Sequence, residues 1–178
     1  MKIRELFEDI DKLKHSERQG WKDKEVERPR DTIASHSFGA ALIGWTLAEK
    51  EEVDTERVIK MLLMHDLIMA YVDDVTPEEE EFDSKKEREQ EMAEKLFQDV
   101  PVEVEEEFRQ LFQELQERET EEAQIAKEAD KLDTLLQAES YSEEGENFLP
   151  EFLDSYRKYF RSSSGSEVFR DLEESCRD

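Results

Sequence analysis

Residues 62–71, LLMHDLIMAY, place a histidine and an aspartate side by side inside a run that is otherwise almost wholly apolar. From Val58 to about Tyr71 the apolar residues cover nearly every face of a helix, which puts that helix at the centre of a bundle. An ionised aspartate there is costly unless it is paired or bound to a metal. A divalent ion satisfies both side chains, because neutral imidazole nitrogen and carboxylate oxygen are ligands of the same borderline ions.

The flanking sequence builds helices around that centre. Ile3, Leu6, Phe7, Ile10 and Leu13 form one apolar stripe, and residues 15–31 (HSERQGWKDKEVERPRD) read as a loop broken by Gly20 and Pro29. Asp31 or Thr32 caps a helix whose Ala34, Gly39, Ala40, Ala41 and Gly44 permit close packing, and Asp54 or Thr55 caps the central helix. Thr76, Pro77 and Glu79 carry a capping-box signature for a fourth helix. Two scaffold stripes follow, Met92, Ala93, Leu96 and Phe97, then Phe108, Leu111, Phe112 and Leu115. Residues 120–140 place Ile125, Ala129, Leu132 and Leu136 inward, with Asp130 bordering the stripe and Asp133 one turn on, on the same side. Phe148, Leu149, Phe152, Leu153, Tyr156 and Phe160 mark a last helix before the RSSSGSE break. With 5 Gly and 4 Pro in 178 residues, there is little material for the many turns of an all-β fold. The expectation is an all-α, single-domain bundle of about six or seven helices over 1–162 and a flexible tail over 163–178.

A net charge of -25 repels phosphate backbones and anionic lipid heads, so no nucleic-acid polymer and no membrane is expected as partner, although local cations can still hold a small anion. Cys176 is the single cysteine, and the opening MKIRELFEDIDKLKH lacks the apolar core of a signal peptide. The longest uncharged stretch, Thr32 to Ala48, is short for a membrane span. A cytoplasmic location is expected.

His36, on the small-residue helix, and Asp130 are the residues that complete a site around His65 and Asp66, giving a His, His-Asp, Asp set on three helices. Taken singly, each has a plainer reading: a hydrogen-bonded core histidine, or an aspartate paired with Lys127 or Lys131.

Four segments in order resemble the HD-domain metal-dependent phosphohydrolases, and most closely their 5′-deoxynucleotidase branch, over about residues 6–160. Arg18-Gln19-Gly20-Trp21 is similar to that branch's R-x-G-W, and DTIASHS (31–37) to its E-S-V-A-E-H-S. HDLIMAYVDDVTP (65–77) is similar to H-D-L-x-E-A-x-x-G-D-I-T-P, and DKLDTLLQA (130–138) to D-K-L-E-x-L-L-Q-A. The resemblance implies an HD-type bundle in which His36, His65, Asp66 and Asp130 hold one divalent transition ion, manganese or cobalt before magnesium, zinc, nickel or iron. It implies that Arg18 binds a substrate phosphate, that Trp21 shapes a nucleoside pocket and that Asp74, with Asp73 beside it, assists proton transfer. The implied reaction is release of phosphate from (deoxy)nucleoside 5′-monophosphates by metal-activated water, in a homodimer.

Several positions depart from the pattern: Ser35 and the shorter Asp133 replace glutamates, Asp73 replaces a glycine, and Met69 stands where the family carries its expected general acid or base. Methionine moves no proton. The alternative is therefore an HD-domain protein that binds metal and nucleotide as a regulatory module; a third reading, an acidic helical interaction protein, requires no metal.

Overall fold

The computed structural model of the protein describes residues 2–26, 29–71, 85–143 and 148–176. Among them it is all-α, with an isolated antiparallel bridge between Glu17 and Thr32. The helices are α1 (Ile3–His15), α2 (Gln19–Asp23), α3 (Ile33–Glu51), α4 (Thr55–Met64), α5 (Lys85–Asp99), α6 (Val102–Glu117), α7 (Glu121–Glu143), α8 (Leu149–Tyr156) and α9 (Ser163–Ser175), with 3₁₀ turns at Leu67–Tyr71 and Arg157–Tyr159. The count exceeds the expected six or seven because α2 forms inside the anticipated loop and α9 inside the anticipated tail. None of the helices is long and apolar enough to cross a membrane.

Helix α3 is the axis of the bundle and packs most extensively on α7 and α4. Thr32, not Asp31, is its N-cap: Thr32 Oγ1 accepts from Ser35 N at 3.1 Å while Ser35 Oγ accepts from Thr32 N at 2.9 Å, so the serine in place of the family's glutamate closes a capping box. A Cβ on Gly44 would lie 2.1 Å from Leu62 Cδ1, so the α3–α4 contact requires glycine there. Asp54 caps α4 by accepting from Arg57 N at 3.1 Å.

The central helix is shorter than its apolar run implies. It stops at Met64, and His65 and Asp66 occupy the break before the 3₁₀ turn. Tyr71, at the end of that turn, is clamped between two carboxylates: its hydroxyl is 2.6 Å from Asp9 Oδ2 and 2.7 Å from Asp99 Oδ2. The α1 stripe is also less buried than its pattern suggests, since only Leu13 is buried and Ile3, Phe7 and Ile10 face outward. In α7 the inward residue is Leu135 rather than Leu136.

Residues 163–175 form a helix because its N-terminal donors have distant acceptors. Ser162 caps α9 by accepting from Gly165 N at 3.0 Å, Ser164 N donates to Glu51 Oε1 at 2.6 Å, and Arg161 N and Ser162 N donate to Glu128 Oε1 at 2.8 and 2.9 Å. Glu128 is fully buried on α7, and Phe169 and Leu172 bury the inner face of α9. Replacing Glu128 by alanine leaves several buried donors without an acceptor, so Glu128→Ala is expected to lower unfolding stability by about 3 kcal/mol in a urea titration; an unchanged midpoint would show that the carboxylate does not secure α9.

Candidate metal centre

His36 lies on the first turns of α3, His65 and Asp66 at the end of α4, and Asp130 in the middle of α7. The bundle brings all four together. His36 Nε2 is 3.3 Å from His65 Nε2, 3.3 Å from Asp130 Oδ1 and 3.8 Å from Asp66 Oδ2, and His65 Nε2 is 3.4 Å from Asp66 Oδ2. His36, His65 and Asp66 form a group of ligand atoms all within 4.8 Å of one another. Asp130 joins through His36, and its second oxygen is held by Lys127 at 2.7 Å and Lys131 at 3.2 Å.

The outer nitrogens fix what the inner ones offer. His65 Nδ1 is 2.7 Å from the Leu62 carbonyl, which only accepts, so the ring donates there and its Nε2 carries a lone pair inward. His36 Nδ1 donates to Asp133 Oδ2 at 2.6 Å, which likewise turns a lone pair inward in the neutral ring. Two imidazole lone pairs and two carboxylates thus face one another, and a cation is required between them. Separations of 3.3–3.8 Å suit ligands sharing one ion, since two bonds of about 2.1 Å at right angles place their ends about 3 Å apart. The residues present fit a divalent metal.

The electrostatics express the same demand. Burial disfavours the charged form of His36, but hydrogen bonding to Asp130 and then Asp133 outweighs it and pushes the imidazole up to about 9. Without metal, the proton supplies the positive charge. Because this value lies above the ordinary 6.5, protonation of His36 stabilises the metal-free fold fully below pH 6.5, and that contribution fades as pH rises through about 9. Burial opposes the charge on Asp130, yet His36, Lys131, Lys127 and His65 hold its carboxyl well below the usual range. A second group, Asp31, His36 and Asp133, surrounds the Nδ1 side of His36. It acts as an orienting shell, since Asp133 accepts the Nδ1 proton and Asp31 is engaged by Ser35 Oγ and by Arg18 at 3.9 Å.

A cavity of about 350 Å³ opens beside the centre, lined by Arg18, His65, Asp66, Met69, Glu89 and Lys131 among others. Arg18 is placed by the 16–33 segment, where Arg18 N donates to Asp31 O at 3.0 Å and Ile33 N to Ser16 O at 2.9 Å. Its Nη2 donates to Thr134 Oγ1 at 3.1 Å, while Nη1 is buried without a hydrogen-bond partner. Trp21 does not line this cavity: it is buried against Tyr141, Phe148 and Phe152, with the Arg18 guanidinium 6.0 Å from its ring centre. Asp73 and Asp74 lie outside the described residues, as do Thr76, Pro77 and Glu79.

Asp133, Thr134 and Glu89 join the site beyond the residues that the sequence pattern implies. Only the spacing from Asp130 to Asp133, one helical turn, pointed toward the site; Thr134 and Glu89 reach it through packing.

Asp133 reaches His36 because α3 has a glycine opposite: a Cβ on Gly39 would lie 2.1 Å from Asp133 Oδ1. Gly39→Ala is expected to displace Asp133 and weaken divalent-metal binding by about 10- to 100-fold in calorimetric titrations, the effect typical of losing an outer partner of a ligating histidine. Unchanged affinity in the folded variant would remove Asp133 from the site.

Comparison with known proteins agrees with this geometry. The HD-domain family model matches residues 10–165. The 5′-deoxynucleotidase HDDC2 of Dictyostelium discoideum is 32% identical over 169 residues, covering 88% of this chain and 88% of its own length. A solved protein from Pyrococcus horikoshii OT3 superposes with a TM-score of 0.71 at 33% identity, covering 97% of this chain and 98% of that one. The predicted metal-dependent phosphohydrolase from Magnetospirillum magnetotacticum MS-1 superposes with a TM-score of 0.75 at 29% identity, covering 98% and 93%. With the family model spanning most of the sequence and the His, His-Asp, Asp set assembled on three helices, this chain belongs to the HD-domain family.

Proposed function

We propose that the protein is a metal-dependent phosphohydrolase that releases phosphate from (deoxy)nucleoside 5′-monophosphates. The observation that carries this reading is the convergence of His36, His65, Asp66 and Asp130 beside a cavity into which Arg18 projects. In it, His36, His65, Asp66 and Asp130 hold one divalent ion, with manganese or cobalt favoured by two imidazoles over magnesium. The ion supplies Lewis acidity toward a phosphate oxygen and acidifies water. Arg18, which lines the cavity, receives the substrate phosphate with its guanidinium, oriented by Thr134 at Nη2 and by the Asp31 carboxylate 3.9 Å from Nη1. Trp21 supports Arg18 from behind as part of the aromatic core rather than stacking on a nucleoside. Asp74, with Asp73, is the proton-transfer group of this proposal, since Met69 lines the cavity and moves no proton. Relatives named for 5′-deoxynucleotidase activity do not favour the reading in which the chain has lost its reaction.

The test is phosphate release from a panel of nucleoside 5′-monophosphates by chelator-stripped protein, with manganese, cobalt or magnesium restored. Release should require the metal and fall by at least about 100-fold in His65→Ala. Metal-bound protein that releases no phosphate would refute the reading.

We also propose a homodimer. Phe38, Leu42 and Trp45, spaced along one face of α3, are 64%, 48% and 52% exposed, and Phe38 borders an apolar groove with Leu6, Ile10, Leu63 and Phe108. A contiguous apolar face of this kind suits a self-complementary interface. Sedimentation should give a dimer for the native chain and a monomer for Trp45→Glu; a monomeric native chain would overturn the proposal.

A further inference from the structure

Acidic residues outnumber basic ones 50 to 25 in this chain, yet several cations gather in one place. A second cavity of about 460 Å³ is lined by Arg118, Lys127, Lys158, Arg161 and Tyr159, with Glu117 its one carboxylate among the described residues. Arg118 and Lys127 also line the cavity at the metal centre, so the two spaces adjoin. Three ammonium groups surround one aromatic ring: Lys127, Lys131 and Lys158 lie 5.7, 5.9 and 5.1 Å from the ring centre of Tyr159. Lys127 and Lys131 are paired with Asp130, but the side chains of Arg118, Lys158 and Arg161 form no ion pair with a described residue.

The described lining of this pocket sets four cations against the one carboxylate of Glu117, although Arg118 and Arg161 also border a neighbouring space lined by Glu51, Glu119 and Glu121. Burial pushes the Tyr159 phenol up, but Lys158, Lys127, Lys131 and Arg118 outweigh it and bring the group below its ordinary value. A site that stabilises a phenolate stabilises other oxyanions, and guanidinium and ammonium groups together are the usual partners of phosphate.

We propose that this cationic pocket is a second phosphate subsite, and that the preferred substrates are nucleotides carrying a second phosphate at a separate position of the sugar, such as nucleoside 3′,5′-bisphosphates. The inference rests on the phosphohydrolase reading above and narrows its substrate class. Two pockets that meet at Lys127 and Arg118, rather than one enlarged pocket, suit two phosphates on separate positions of one small molecule. In the reaction, the water oxygen bonds to the phosphorus at the metal centre, the phosphorus–oxygen ester bond breaks, and the sugar oxygen leaves with a proton. The second phosphate is held by Arg118, Lys158 and Arg161 and is not cleaved.

The experiment compares kcat/KM of the metal-loaded enzyme for a nucleoside 5′-monophosphate and the matching 3′,5′-bisphosphate, in the native chain and in the double variant Lys158→Ala/Arg161→Ala. Both side chains are exposed, so the variant keeps the core. The native enzyme should favour the bisphosphate, and the variant should lower that preference by about tenfold or more, as expected for removing charge-assisted contacts to phosphate. Equal kcat/KM for the two substrates, or a preference unchanged in the variant, overturns the proposal. If orthophosphate inhibits monophosphate hydrolysis through Lys158 and Arg161 while the native enzyme shows no bisphosphate preference, the pocket takes a free anion and the substrate claim falls. If neither substrate is hydrolysed, the phosphohydrolase reading fails, and calorimetric binding of the bisphosphate still decides the subsite: weaker binding in the variant supports it, and equal binding refutes it.

Discussion

Four electron-rich atoms face one another inside the bundle, and the rest of the structure is arranged around the cation they require. His36 Nε2 and His65 Nε2 approach to 3.3 Å with both outer nitrogens already committed to acceptors, so no rotation of either ring relieves the contact. Asp66 and Asp130 add negative charge to the same point. Leaving such a set uncompensated in a buried place is costly. A proton on His36 answers the demand in part, and a divalent ion held between His36, His65 and Asp66 would answer it too.

The scaffold serves that arrangement through a few local choices. Helix α4 ends where it does so that His65 can turn its Nδ1 back to the Leu62 carbonyl, and the following 3₁₀ turn is anchored by Tyr71 between Asp9 and Asp99. Small residues on α3 let α4 and α7 approach closely, and Gly39 admits Asp133 to the outer face of His36. Lys127 and Lys131 neutralise the far side of Asp130 and reach toward Tyr159, and Lys127 also lines the neighbouring cationic pocket. Local positive charge thus coexists with a net charge of -25, which reflects how charge is placed rather than how much of it there is.

Much of this was legible from the order of residues. Apolar periodicity points to α1, α6 and α7, a cap and small residues point to α3, and the polar pair in an apolar run points to the centre. The end of α4 was not legible, because LLMHDLIMAY contains neither glycine nor proline and the break depends on side chains folding back onto the backbone. Helix α9 was hidden for a different reason. Its serines and glycine read as a flexible link until Glu51 and Glu128, far away in sequence, supply the acceptors its first turn needs. The resemblance to R-x-G-W implies a pocket role for Trp21, whereas the aromatic partners that bury it, Tyr141, Phe148 and Phe152, lie at the other end of the chain.

The central claim is that these four side chains require one cation, met by a proton on His36 or by a single divalent ion. It is tested most directly by titrating chelated protein with manganese or cobalt at neutral pH in two buffers of different ionisation enthalpy. The account predicts one ion per chain, displacement of about one proton from His36 on binding, and loss of both signals in His36→Ala. Binding of equal strength in the native protein and in His36→Ala, or no binding at all, would contradict it.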